Sequence, residues 1–135
     1  MFIIELKEIK GFRGYFIRND GTVWSNLGKG NRHNGKTVEL YQIKGRPTKN
    51  GYLRVCLRHS ETNKRVDKYI HRLVAEYFVE NLYNKNIVNH KDSNRQNNHF
   101  TNLEWCTQRE NLEHAFKFGF MERDIATGRM KRKCA

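Results

Sequence analysis

The apolar positions along the chain mark out short extended runs first and helical spacing later. Phe2, Ile4 and Leu6 alternate with Ile3, Glu5 and Lys7, which leaves a short strand and a helical turn both open. Tyr15-Phe16-Ile17-Arg18 and Thr22-Val23-Trp24-Ser25 are β-prone runs on either side of Asn19-Asp20-Gly21. Those three residues tolerate positive φ, so the pattern predicts a tight hairpin with Trp24 in its core. From 27 to 50 the chain is rich in Gly, Lys, Arg and Asn and is expected to be an irregular excursion, with Val38 to Ile43 as a short strand. Leu53, Val55 and Leu57 then alternate with Arg54, Cys56 and Arg58, one apolar face against one largely basic face. A turn at Glu61-Thr62-Asn63-Lys64 leads back through Arg65 to Ile70 and predicts a second hairpin. At His71 the period changes: Leu73, Val74, Tyr77 and Phe78 share one face of a short helix.

The stretch from Ile87 to Phe116 concentrates the chemistry. Ile87-Val88 predicts a strand that carries Asn89 and His90. Asp92, Asn94, Asn97, Asn98 and His99 follow in a loop, a density of side chains that bond their own backbone and order it without regular structure. Leu103 and Trp105 alternate inward on a return strand, and Thr107 with Glu110 has the spacing of a capping box that opens a helix. Leu112, Ala115, Phe116 and Gly119 are expected on that helix's buried side, with Asn111 at the edge of the stripe, able to face back towards the strand of His90.

Length and charge narrow the partners. At 135 residues the chain is expected to form one domain, or one with a small appendage, and 37% hydrophobic content predicts a small core. A net charge of +12 is spread through the whole chain and favours a polyanion. Nucleic acid fits better than a membrane, because no long apolar segment is present. Cys56, Cys106 and Cys134 are far apart and form no Cys-x-x-Cys, so a reducing cytoplasm is the expected compartment, with Cys56 and Cys106 as small buried side chains. The N-terminus turns charged too early for a signal peptide. Candidate DNA contacts are Arg54 and Arg58 on the basic strand face, Arg72 at the helix start, and Lys91, Arg95 and Arg109 around the loop. A solvated basic surface would read the same way. The basic stretch after Phe118 is expected to be an arm that tracks phosphates or a solubilising tail.

Phosphodiester hydrolysis asks for what this stretch holds. A water must lose a proton as it attacks phosphorus, and a neutral imidazole is the usual positioned base. A hard divalent cation stabilises the charge that builds on the phosphoryl and departing oxygens. On an extended strand Asn89 and His90 point to opposite sides, so one can touch metal while the other faces water, and Asn111 adds an oxygen from the helix.

Asn89-His90, Asn102 and Asn111, in that order and within Tyr69 to Gly119, resemble the ββα-metal core of the HNH nucleases. The Tyr15 to Ser25 hairpin resembles the small DNA-contacting module found beside that core in phage and intron-encoded HNH homing endonucleases. The resemblance implies His90 as general base, Asn89 and Asn111 as ligands of one Mg2+ or Mn2+ ion, and Asn102 as a clamp bonding loop backbone. Many family members put Asp or His where this chain has Asn89, and a neutral amide attracts a cation less strongly than a carboxylate. Asp92 is a candidate outer partner that compensates, and weak metal binding without DNA follows. His71 stands at a strand-to-helix junction where a structural role is the commoner one. His114 is either an accessory to the site or a surface histidine, and His99 is expected to face solvent or phosphate.

These readings predict an α+β protein: a β-rich DNA-contacting region over 1–64, an HNH nuclease core over 65–119 and a basic C-terminal tail over 120–135. The expected function is a homing-type endonuclease acting on double-stranded DNA. One core carries one site, so a monomer nicks one strand, and whether the chain is a monomer or a dimer stays open. A DNA-binding regulator on a decayed core is the alternative.

Overall fold

A computed structural model describes residues 3–28, 37–117, 119, 121–123 and 130–132. Four strands form an antiparallel meander in sequence order: β1 (Leu6–Glu8), β2 (Tyr15–Arg18), β3 (Val23–Leu27) and β4 (Thr37–Ile43). The ambiguous N-terminal run therefore resolves as a strand, with Leu6 opposite Arg18. The β2–β3 turn falls at Asn19-Asp20-Gly21, where Asp20 Oδ1 accepts from the Thr22 backbone N–H at 3.0 Å and Gly21 takes φ +89°. Trp24 is only half buried, its ring lying under the Arg18 guanidinium at 5.3 Å rather than inside the core.

A second antiparallel sheet contains β5 (Arg46–Pro47), β6 (Leu53–Arg58) and β7 (Arg65–Tyr69). Its alternation works as the sequence implies: Val55 and Leu57 are buried, while Arg54, Cys56 and Arg58 face outward. Cys56 thus corrects the expectation of a buried thiol, because it occupies the outward parity of its strand; Cys106 is buried. Cys134 lies outside the described residues.

Helix α1 (Ile70–Phe78) follows β7 directly and carries Ile70, Leu73, Val74 and Ala75 into the core. Then come β8 (Ile87–His90), a 3-10 turn (Phe100–Asn102), β9 (Leu103–Cys106) and α2 (Gln108–Lys117). The 3-10 turn gives regular structure to the end of a loop expected to have none, with His99 as its cap: the Thr101 backbone N–H donates to His99 Nδ1 at 3.3 Å. His99 stacks on Phe100 at 5.1 Å and is half buried. The capping box of α2 is present, with Thr107 N–H on Glu110 Oε2 at 2.9 Å and Glu110 N–H on Thr107 Oγ1 at 3.2 Å. Leu112, Ala115 and Phe116 are half buried rather than buried, so one side of α2 flanks a cleft instead of sealing a core.

One apolar cluster joins the two sheets, α1 and the β8–β9 ladder. Ile17 and Val23 from the first sheet, Val55 and Leu57 from the second, Leu73 and Val74 from α1, and Val88 and Leu103 from the β8–β9 ladder pack together. Burying such side chains contributes roughly 1.5–3 kcal/mol each before the cost of ordering them. The boundary drawn after residue 64 falls at the β6–β7 turn, whose strands pair Arg58 with Arg65 and Arg54 with Tyr69. In the expected basic tail, β10 (Met121–Arg123) pairs with β11 (Met130–Arg132), an antiparallel ladder the weak apolar periodicity there does not announce. Residues 124–129 and 133–135 lie outside the described set.

Candidate active site

The antiparallel pairing of β8 with β9 sets Asn89 against Glu104 and His90 against Leu103. Successive strand residues face opposite sides, and the two functional side chains accordingly find different partners. Asn89 Nδ2 donates to Glu104 Oε1 at 3.0 Å. His90, 4% exposed, places Nε2 2.8 Å from Asn98 Oδ1. With the amide oxygen facing the ring, Nε2 carries the proton and Nδ1 keeps the lone pair. Burial pushes the His90 pKa below its ordinary value; the Asn98 hydrogen bond and the Asp92 charge act upward against it, and Arg95 acts downward. Burial thus favours the neutral ring.

The loop that carries Asn98 is held by two neighbours. Asn102 spans it: its Oδ1 accepts from the Asp92 N–H at 3.1 Å, and its Nδ2 donates to Asp92 Oδ1 and to the Asn97 carbonyl, each at 2.9 Å. Above it packs the β2–β3 turn, where a Cβ on Gly21 would sit 2.8 Å from the Asn98 carbonyl oxygen. Only glycine fits that contact and that φ. The Asn19 carbonyl also accepts from the Phe100 N–H at 2.9 Å. The first hairpin is thereby fastened to the loop that orients His90.

Asp92 spends its carboxylate inside the loop. Oδ2 accepts from Asn97 Nδ2 at 2.8 Å and Oδ1 from the Asn94 N–H at 2.8 Å, which together with Asn102 hold its pKa below the usual carboxylate range. The acid that touches Asn89 is instead Glu104, whose position opposite Asn89 in the ladder is the only signal of it in the sequence.

A cleft of about 540 Å3 opens between this ladder and α2, lined among others by Asn89, His90, Arg95, Asn111, His114 and Tyr52. Asn111 is thus brought to the same cleft as Asn89 and His90. His114 is half buried, its Nε2 3.1 Å from the Lys91 carbonyl oxygen, which ties α2 to the loop. Tyr52 is a residue sequence reasoning missed. Its ring stacks on His71 at 4.9 Å, lies 5.9 Å from His90, and carries the Arg95 guanidinium at 4.7 Å. Arg95 also donates to the Asn50 carbonyl. His71 is 8% exposed, 5.2 Å from His90 between ring centroids, with Nδ1 lacking a partner among the described residues. Burial, then the charges of His90 and Arg72, lower its pKa to about 3.

The other predicted contacts are spread over the surface. Arg54 and Arg58 line an outer groove of about 570 Å3 with Lys44, Arg46 and Arg65, Asp67 pairing Arg54 at 3.3 Å. Arg72 donates to the Asn86 carbonyl at 3.1 Å and lies over Trp105. Arg109 is exposed and pairs with Glu113 at 3.2 Å, and Lys91 is exposed beside the cleft. Among the described residues no group of three His, Cys, Asp or Glu side chains could hold a metal, and no helix is long and apolar enough to cross a membrane. Oxygens at the cleft include the amides of Asn89, Gln108 and Asn111 and the hydroxyl of Ser93. Asn89 fits the part of a cation ligand, since its nitrogen is committed to Glu104 and its oxygen is left as the acceptor.

A strand, ordered loop, strand and capped helix, with a buried histidine facing an amide-lined cleft, make up a ββα unit. Residues 68–113 match the family described as HNH endonuclease, and the chain is similar to homing endonucleases that carry it. DNA endonuclease I-HmuI of Bacillus phage SP01 is 38% identical over 117 residues, 86% of this chain and 60% of that protein. Uncharacterized HNH endonuclease L245 of Acanthamoeba polyphaga mimivirus is 41% identical over 103 residues, 76% of this chain and 27% of that protein. A solved structure of I-HmuI, reported for DNA binding and cleavage by that HNH homing endonuclease, superposes with a TM-score of 0.67 at 36% identity, covering 85% of this chain and 59% of the other. The chain therefore spans less than two thirds of these relatives.

Proposed function

We propose that the chain is a homing-type DNA endonuclease that hydrolyses one phosphodiester per site in double-stranded DNA, nicking a single strand when it acts as a monomer. The observation that carries this reading is the buried His90 ring, held through Nε2 by Asn98 and lining a cleft with Asn89 and Asn111. His90 Nδ1 takes the proton from the attacking water, and Asn98 keeps the ring in the tautomer that allows it. Asn89 and Asn111 would hold one Mg2+ or Mn2+ ion, which when bound supplies electrostatic stabilisation of the phosphoryl and leaving oxygens. Asp92 and Asn102 maintain the loop, His71 backs the base, and His114 joins α2 to Lys91.

Double-stranded DNA is the proposed partner. Arg54 and Arg58 on the second sheet, with Arg72, Lys91, Arg95 and Arg109 nearer the cleft, are the proposed phosphate contacts. Arg95 is the one nearest the chemistry, at the cleft wall over Tyr52. The region over 1–64 would grip DNA and 65–119 would cut it, in the cytoplasm of the cell that holds the target. Supercoiled plasmid incubated with the protein in Mg2+, in Mn2+ and in EDTA tests this. Conversion to open circle in either metal and not in EDTA is expected. Retardation of the plasmid without any nicking would instead fit a DNA-binding regulator on a decayed core.

A further inference from the structure

Asn89 is a neutral amide at a position where charge on the ligand would help hold a cation, and the residue across the ladder from it is an acid. Asn89 and Glu104 are register partners, and Asn89 Nδ2 donates to Glu104 Oε1 at 3.0 Å. A carboxylate only accepts, so the amide has one orientation: nitrogen towards Glu104, Oδ1 away from it. Glu104 is half buried, and no salt bridge among the described residues includes it, although the chain carries a net charge of +12. Asn89 lines the cleft and Glu104 does not.

We propose that Glu104 is a positioning residue for a divalent-cation site: it turns Asn89 Oδ1 to the cleft and, through the hydrogen bond, lends that oxygen the negative charge a neutral amide lacks. The inference rests on Asn89 being a ligand, and it explains how an amide serves at a position where an acid would bind more strongly. A carboxylate accepting from the amide nitrogen polarises the whole group and raises the electron density on its oxygen. Outer partners of this kind typically govern 10- to 100-fold in metal affinity. An ordinary cross-strand pair would stabilise the hairpin without touching metal affinity.

The two roles separate in a charge exchange. Asn89→Asp with Glu104→Gln keeps one donor facing one acceptor across the ladder and moves the carboxylate from the outer residue to the ligand itself. Mn2+ alone is titrated into isotope-labelled protein, and paramagnetic broadening of the backbone amides around Asn89 and Asn111 is followed, with thermal unfolding of each variant as a control. Broadening in wild type is expected at millimolar Mn2+. Glu104→Gln should require about 10-fold more Mn2+, and the double variant should regain wild-type response or exceed it, with unfolding temperatures that do not track the order of affinity. Equal broadening of Glu104→Gln and wild type, or a double variant no better than Glu104→Gln, overturns the proposal. Wild type that nicks plasmid in Mn2+ without broadening at Asn89 overturns the ligand assignment and this inference with it, leaving the endonuclease reading intact.

Discussion

Replacing His71 by Phe should remove roughly 2–3 kcal/mol of the acid sensitivity of the fold between neutral pH and about pH 4.5. His71 is buried against Tyr52, Tyr69 and His90, with the Arg72 charge also acting on it, and its Nδ1 has no partner among the described residues. Protonation would place a charged ring in that setting, so its pKa falls from 6.5 to about 3. The unfolded chain binds the proton at the ordinary value, so this residue's contribution is whole above pH 6.5 and is lost progressively as pH falls towards 3. Between about pH 7.5 and pH 4.5 the loss is roughly 2–3 kcal/mol, two pH units below the unfolded value at 1.36 kcal/mol each. Phe keeps a ring stacked on Tyr52 and cannot titrate. Urea unfolding of wild type and His71→Phe at both pH values isolates the residue as a difference of differences, in which the shared carboxylates cancel. If both proteins lose the same stability on acidification, His71 is not buried neutral and the packing around His90 is other than described.

Further outcomes follow from the same contacts. Asn98→Leu should lower single-turnover nicking by about 10- to 100-fold with DNA affinity unchanged, because it removes the acceptor that fixes the His90 tautomer; gel-shift and cleavage assays on one preparation check this. Gly21→Ala should destabilise by about 1–2 kcal/mol for its positive φ and also slow nicking, since its Cβ would press on the Asn98 carbonyl. Unfolding and cleavage measured together would refute the link if stability fell and the rate per folded molecule did not. Nicking should remain on its plateau down to below pH 6.5, since burial lowers the pKa of His90, the base proposed above, from its ordinary value; an acid limb centred above neutrality would contradict that proposal.

What the sequence carries and what it hides divide along the range of the interaction. The Asn19-Asp20-Gly21 turn, the alternation of Leu53, Val55 and Leu57, the helical face of Leu73, Val74 and Tyr77, and the Thr107–Glu110 capping box are local patterns, and each appears where its residues point. Cys56 follows its strand's outward parity, which the alternation itself contains, yet its residue type argued for burial. Tyr52 meets His71 only because the second sheet folds onto α1, a contact no period announces. Asn98 is one of several asparagines in an irregular loop, and choosing it as the partner of His90 needs the loop's path in space. Glu104 follows from strand register once the loop length between Asn89 and its return is settled.

The central claim is that His90 is the base of a metal-dependent DNA nick. Its most direct test is single-turnover cleavage of supercoiled plasmid in Mg2+ by wild type and His90→Ala, with DNA binding measured alongside. The account predicts a rate at least about 100-fold lower in the variant with binding retained. Equal nicking by the two proteins would contradict it.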